Sequence, residues 1–149
     1  MKLEFTVPGK PQAQQRPFFS TAGGHVRALE RRESRNAKAV IQFWAIKAMR
    51  EQGWDITHQD VRVTLDSYFA VPKSFSKKKT EAALSGKIRP GHKGDVDNLF
   101  KNATDALNAV VYQDDCQIVE GVSRKFYGVQ DCQHFVIEVV GDENKGHTS

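Results

Sequence analysis

The sequence predicts an α+β domain, with a mixed or mainly antiparallel sheet of four or more strands and two to three helices. Three observations carry that expectation. Residues 2–7 and 60–71 alternate apolar and polar side chains, the period of a half-buried strand. From about residue 32 to 52, Ala37, Val40, Ile41, Trp44, Ala45, Ala48 and Met49 recur at helical spacing. A second helical stripe, Leu99, Phe100, Ala103, Ala106, Leu107 and Val110, precedes two further strand-like runs at 118–127 and 134–140. At 149 residues the chain has the length of one domain with a real core. That domain is expected to span 1–140. Residues 141–149 contain no apolar side chain and read as a disordered tail.

In the first strand Leu3, Phe5 and Val7 share a face, and Pro8-Gly9 ends it. Residues 9–30 are rich in Gly, Pro and Gln and contain Gly23-Gly24, which suggests an extended loop or a loose hairpin. Gly53 closes the 32–52 helix, and Trp44 lies in its apolar stripe, a core position rather than a platform for a base. Val61, Val63, Leu65, Ser67, Phe69 and Val71 form one face of the next strand, which Pro72 breaks. Ser76 is placed to cap a short helix over roughly 77–85. Gly86 to Gly94 reads as loop, and a turn near Gly128–Asp131 joins the last two strands. The pattern leaves strand order open.

Composition is ordinary for a globular protein, 39% hydrophobic and 27% charged, with a formal net charge of +4 that mildly favours an anionic partner. No run of 18 apolar residues suggests a membrane span, and no signal-peptide core opens the chain, so a cytoplasmic location is expected. Cys116 and Cys132 make neither a disulfide framework nor a zinc site, and the five histidines lack ligand spacing.

The chemistry concentrates in residues 93–120. Asp95, Asp97, Asp105, Asp114, Asp115 and Glu120 are acidic there, against Lys93 and Lys101. Just upstream, residues 73–92 hold Lys73, Lys77, Lys78, Lys79, Lys87 and Arg89 against Glu81 alone. Carboxylates holding a divalent metal, with lysines drawing nucleic-acid phosphate to it, explain that juxtaposition. Asp97 sits where an N-cap would, and in extended backbone Asp95 and Asp97 project to the same side and converge on one ion. Lys101 lies four residues from both Asp97 and Asp105 on the helix's polar face. It is either an i,i+4 ion-pair partner or the ammonium that meets a scissile phosphate. Adjacent Asp114 and Asp115 repel unless a cation, a dipole or solvent offsets them. An all-oxygen donor set selects Mg²⁺ or Mn²⁺.

Lys93-Gly-Asp-Val-Asp-Asn-Leu-Phe-Lys101, continuing to Asp105-Ala-Leu-Asn108 and Tyr112-Gln-Asp-Asp-Cys-Gln-Ile-Val119, resembles the signature of the RusA family of Holliday junction resolvases. Pro72-Lys-Ser-Phe-Ser-Lys-Lys-Lys79 and Gly9-Lys-Pro…Gln15-Arg-Pro17 also resemble family segments, so the likeness runs from about residue 5 to 140. The resemblance implies a RusA-like fold and catalytic, metal-binding Asp95, Asp97 and Asp115, with Asp114 supporting and Lys101 catalytic. It implies a homodimer that nicks opposed strands of a four-way DNA junction in recombination and repair. Gly94 stands where the family often has proline, so a less rigid loop is expected. Lys73, Lys77, Lys78, Lys79, Arg89 and Lys93 are the expected DNA-backbone contacts, with Arg16, Arg27 and Arg31 on a second surface. Any single arginine could equally belong to a solvated basic face. Neither a small-molecule substrate nor a membrane is expected. Two other readings stand beside this one, a nuclease for flaps, forks or RNA and a non-catalytic junction-binding protein.

Overall fold

Alternation along each run determines which side chains face inward, and the expected strands form. The structure, a computed structural model, describes residues 1–141. The expected disordered tail lies, apart from Gly141, outside the described residues. Strands β1 (Lys2–Pro8), β4 (Val61–Ala70), β5 (Ile118–Gly128) and β6 (Cys132–Val139) make one sheet in the order β1-β6-β4-β5. β1 and β4 each pair antiparallel with β6, whereas β4 and β5 run parallel. The sheet is therefore mixed, and the α+β class expected from the sequence is the one adopted.

Period-2 patterning reveals faces but not neighbours. β5 and β6 follow one another in the chain, yet β4 lies between them. Residues 129–131 must therefore cross the end of β4. The carboxylate of Asp131 accepts from the Ala70 N–H at 2.8 Å, and the Val71 N–H donates to the Gly128 carbonyl at 3.1 Å. Those two bonds fasten the crossing.

Leu3, Phe5, Val63, Leu65, Phe69, Phe135 and Ile137 are buried on one sheet face. They join one core with residues of helices α1 (Arg32–Gln52) and α3 (Val96–Leu107), namely Ile41, Ala45, Ala48, Leu99, Ala103, Ala106 and Leu107. Phe5 stacks on Phe135 across β1 and β6 with ring centroids 4.8 Å apart. Trp44 is half-buried against this core, as its place in the stripe requires. Gly53 ends α1 at φ 70°, the left-handed conformation that favours glycine at a helix C-terminus. On the other sheet face Arg124 grips Asp66 with two bonds, 2.6 and 2.8 Å. Helix α2 (Lys77–Leu84) begins where expected, with the Ser76 Oγ accepting from the Lys79 N–H at 3.1 Å. The segment after Gly9 does form a hairpin, β2 (Phe18–Ser20) with β3 (Arg27–Leu29), a two-stranded sheet separate from the main one.

Parallel pairing of β4 with β5 demands a long return connection. Helices α2 and α3 occupy it. The connection ends in a 3-10 turn over Asp115–Gln117 that leads directly into β5. Asp97 and Asp105 of α3 and Asp115 of the turn thus gather beside β5.

Candidate active site

Helix α3 is strongly two-sided. Its apolar stripe enters the core, so Asp97, Lys101 and Asp105, at successive i,i+4 positions, must line up on the opposite side. Its start differs from the sequence expectation. Asp95, not Asp97, is the N-cap, and its Oδ1 accepts from the Asp97 N–H at 2.9 Å. The backbone is extended only at Asp95 and is helical from Val96, so the two carboxylates do not project side by side from an extended strand. The sequence could not separate them, because either aspartate makes a good cap.

Asp115 is brought in from the far side. Tyr112 is fully buried, and its hydroxyl donates to the Thr104 carbonyl of α3 at 2.7 Å. Burial pushes that phenol well above its ordinary range, so it stays a donor. Two residues on, Asp114 caps the 3-10 turn, accepting from the Cys116 N–H at 3.1 Å. Gln117 returns the favour by accepting from the Asp114 N–H at 2.8 Å. The Gln117 amide also donates to the carbonyls of Thr57 (2.9 Å) and Gln59 (2.8 Å), which pins the turn to the scaffold. Asp115 is left to face α3.

Between the two lies an open cleft of about 370 Å³, lined by Asp97, Lys101, Thr104, Asp105, Asp115 and Ser123, with Phe100 and Gly121 as apolar neighbours. Asp97, Lys101 and Asp115 therefore share a cleft. Asp95 lies outside the lining as the exposed helix cap, and Asp114 turns to its own backbone. Asp105 enters instead. It faces Lys101 Nζ at 3.9 Å and Lys38 Nζ at 3.7 Å, and Lys38 also pairs with Glu30. The i,i+4 spacing pointed to the Lys101 contact, whereas nothing in the sequence placed Lys38 there.

Phe100 leaves no room for a side chain at position 121. A Cβ on Gly121 would lie 2.8 Å from the Phe100 ring. Gly121→Val is expected to push that ring toward the cleft and to cost about 1–3 kcal/mol, read as a lower melting temperature.

The Asp115 carboxyl is pushed above the usual range, chiefly by the hydrogen bond it shares with Asp114, and also by slight burial and the charges of Asp114 and Asp105. Lys101 opposes that rise. Asp114 moves the other way, held low by the Cys116 N–H and by Asp115. Asparagine caps as well as aspartate but carries no charge. Asp114→Asn should therefore lower the Asp115 titration midpoint, observable by carboxyl carbon NMR in metal-free protein. An unmoved or raised midpoint would contradict the pairing.

Among the described residues, no three carboxylate, imidazole or thiol side chains close into a ready metal cage. Mg²⁺ does not require one, because it keeps several waters and is commonly held by one or two carboxylates together with substrate phosphate. Asp97 and Asp115, two hard oxygen donors across an open cleft beside a cation, fit that mode.

The chain matches the model of the endodeoxyribonuclease RusA family over residues 8–139. This protein belongs to the RusA family. Membership implies an endodeoxyribonuclease, a hydrolase whose substrate is DNA. The chain is also 39% identical over 127 residues to YqaN, an uncharacterized protein of Bacillus subtilis (strain 168), covering 84% of this chain and 87% of that one. No helix among the described residues is long and apolar enough to cross a membrane.

In this RusA-family chain all nine basic residues expected to meet DNA are exposed: Arg16, Arg27, Arg31, Lys73, Lys77, Lys78, Lys79, Arg89 and Lys93. Three of them also have structural work, Lys79 among them, its ammonium lying over the Phe75 ring at 4.1 Å. Arg89 lies over the Phe126 ring at 4.1 Å and donates to the Lys125 carbonyl at 3.1 Å. Arg31 donates to the Arg16 carbonyl at 3.0 Å. Sequence reasoning passed over Lys125, whose ammonium donates to the Gly94 carbonyl at 2.7 Å and ties down the loop before Asp95. Gly94 has φ 99°, which proline cannot adopt. The loop thus has a route of its own, restrained by Lys125 in place of a ring.

Proposed function

We propose that this protein is a Mg²⁺-dependent, structure-selective endodeoxyribonuclease that resolves four-way DNA junctions by paired symmetrical nicks. The observation that carries the reading is the shared, solvent-open cleft of Asp97, Asp115 and Lys101. Asp97 and Asp115 would hold the ion, with Asp95 next to it at the helix start. A metal bound there supplies Lewis-acid polarisation of the phosphate and a hydroxide nucleophile near neutral pH. Lys101, 63% exposed, is free to extend from Asp105 toward the scissile phosphate and offset its developing negative charge. Asp105, held by Lys38, then keeps the Lys101 ammonium aimed into the cleft between turnovers. The exposed lysines of α2 and its flanks hold DNA through phosphate, and such contacts carry little sequence information, as suits recognition of branch geometry. Cutting two strands symmetrically requires two copies of the cleft related by a two-fold axis, hence a homodimer. Mn²⁺, with the same preference for oxygen ligands, is expected to substitute.

The test offers the protein an immobile four-way junction, a fork and a linear duplex of matched length, each in Mg²⁺, with products run on a denaturing gel. Sedimentation of the same preparation reports its mass. Paired nicks on the junction from a dimer are expected. Cuts confined to the fork would retain the nuclease and discard the junction. Binding without any cut would favour a junction-binding role.

A further inference from the structure

The β2–β3 ribbon carries the most exposed aromatic ring among the described residues, Phe19, with 72% of its surface open. Burial does not explain that ring. In the ribbon register Phe19 lies opposite Ala28, so only a methyl group stands directly across from it, and with 72% of its surface open the ring offers a platform. Phe18 and Leu29 form the next pair and project to the other face, where the Arg31 guanidinium lies 5.6 Å from the Phe18 ring. Phe18 is 41% exposed and Leu29 half-buried, so the Phe18 face is the more covered of the two and Phe19 is on the open one.

Charge around the ribbon is one-sided. Residues 16–32 contain Arg16, Arg27, Arg31 and Arg32 against Glu30 alone, and Glu30 is occupied by Lys38. The same Lys38 reaches Asp105 of the cleft at 3.7 Å, so the root of the ribbon is one side chain away from the cleft wall. A free aromatic face within an arginine-rich arm is the combination that stacks unpaired bases while phosphates are held electrostatically.

We propose that Phe19 is a base-stacking residue, which takes an unpaired or unstacked DNA base beside the branch and so sets which phosphate lies over the cleft. The proposal rests on the DNA-cleaving reading above and deepens it. A continuous duplex offers no free base face, so the ring discriminates in favour of branched DNA.

The test compares wild type, Phe19→Ala and Phe19→Trp in Ca²⁺ in place of Mg²⁺. The probes are a four-way junction bearing 2-aminopurine at the branch and a matched linear duplex. Phe19→Ala should bind the junction about tenfold more weakly and the duplex unchanged, and it should lose the change in 2-aminopurine emission on binding. Phe19→Trp should retain both. Equal binding by wild type and Phe19→Ala, or equal losses on junction and duplex, would overturn the proposal. So would a halved mass for Phe19→Ala with the 2-aminopurine change intact, which would assign the ring to a contact between copies. If wild type binds neither DNA, the underlying reading falls and the stacking role with it. If wild type binds and cuts the junction while Phe19→Ala does so equally well, only the stacking role falls.

Discussion

Asp97→Asn is expected to leave the fold and junction binding intact while slowing cleavage about a thousandfold. Asp97 is exposed on the first turn of α3 and its carboxylate has no structural partner on which the helix depends, because Asp95 is the cap. Asparagine preserves shape and removes the charge that would hold a divalent cation. A metal site contributes several kcal/mol of transition-state stabilisation, and each 1.36 kcal/mol is a factor of ten in rate. Losing one of the two carboxylates proposed to hold the ion is expected to remove most of that. Single-turnover cleavage of a labelled junction gives the rate, and a gel-shift in the same buffer without metal gives the binding. An unchanged rate in a folded variant would remove Asp97 from the chemistry.

Lys101→Met should cost less, roughly a hundredfold in rate, with little change in junction affinity. The methionine keeps the length of the stem and loses the ammonium. Two neighbours make the expectation specific. Asp105 would keep Lys38 as its partner at 3.7 Å, so no carboxylate is left unpaired and the scaffold should hold. Asp115 would lose the one nearby cation that opposes its upward shift. The variant should therefore need a higher pH than wild type to reach its own maximum rate. A rate loss with no displacement of the acid limb would show that Lys101 acts without influencing Asp115.

Much of this site was legible because helices advertise their faces. The apolar stripe of α3 forced Asp97, Lys101 and Asp105 outward together, and the acidic run 114–115 could be read as a second contribution to the same place. Ser76, Gly53 and Pro72 marked element ends because capping and φ limits are local properties. What failed was non-local or degenerate. Either aspartate of Asp95-Val-Asp97 could cap, and only the helix start decides between them. Asp114 reads as a ligand beside Asp115, and its second engagement, the cap that Gln117 completes three residues on, needs the turn to be seen. Lys38 reaches Asp105 across 67 positions of sequence, and no periodicity encodes such a meeting. The insertion of β4 between β5 and β6 was likewise hidden, since alternation gives a strand's face and says nothing of its neighbour. Lys125 looked like one more surface lysine because its partner is a backbone carbonyl, which any residue carries.

The most direct measurement uses wild-type protein pre-bound to a four-way junction in EDTA and then given excess Mg²⁺, with both strands sequenced at the branch over time. No cut before metal, followed by nicks at matching positions on two opposed strands, is the result expected. Cleavage that proceeds in EDTA at the same rate would contradict a metal-dependent cleft built from Asp97 and Asp115.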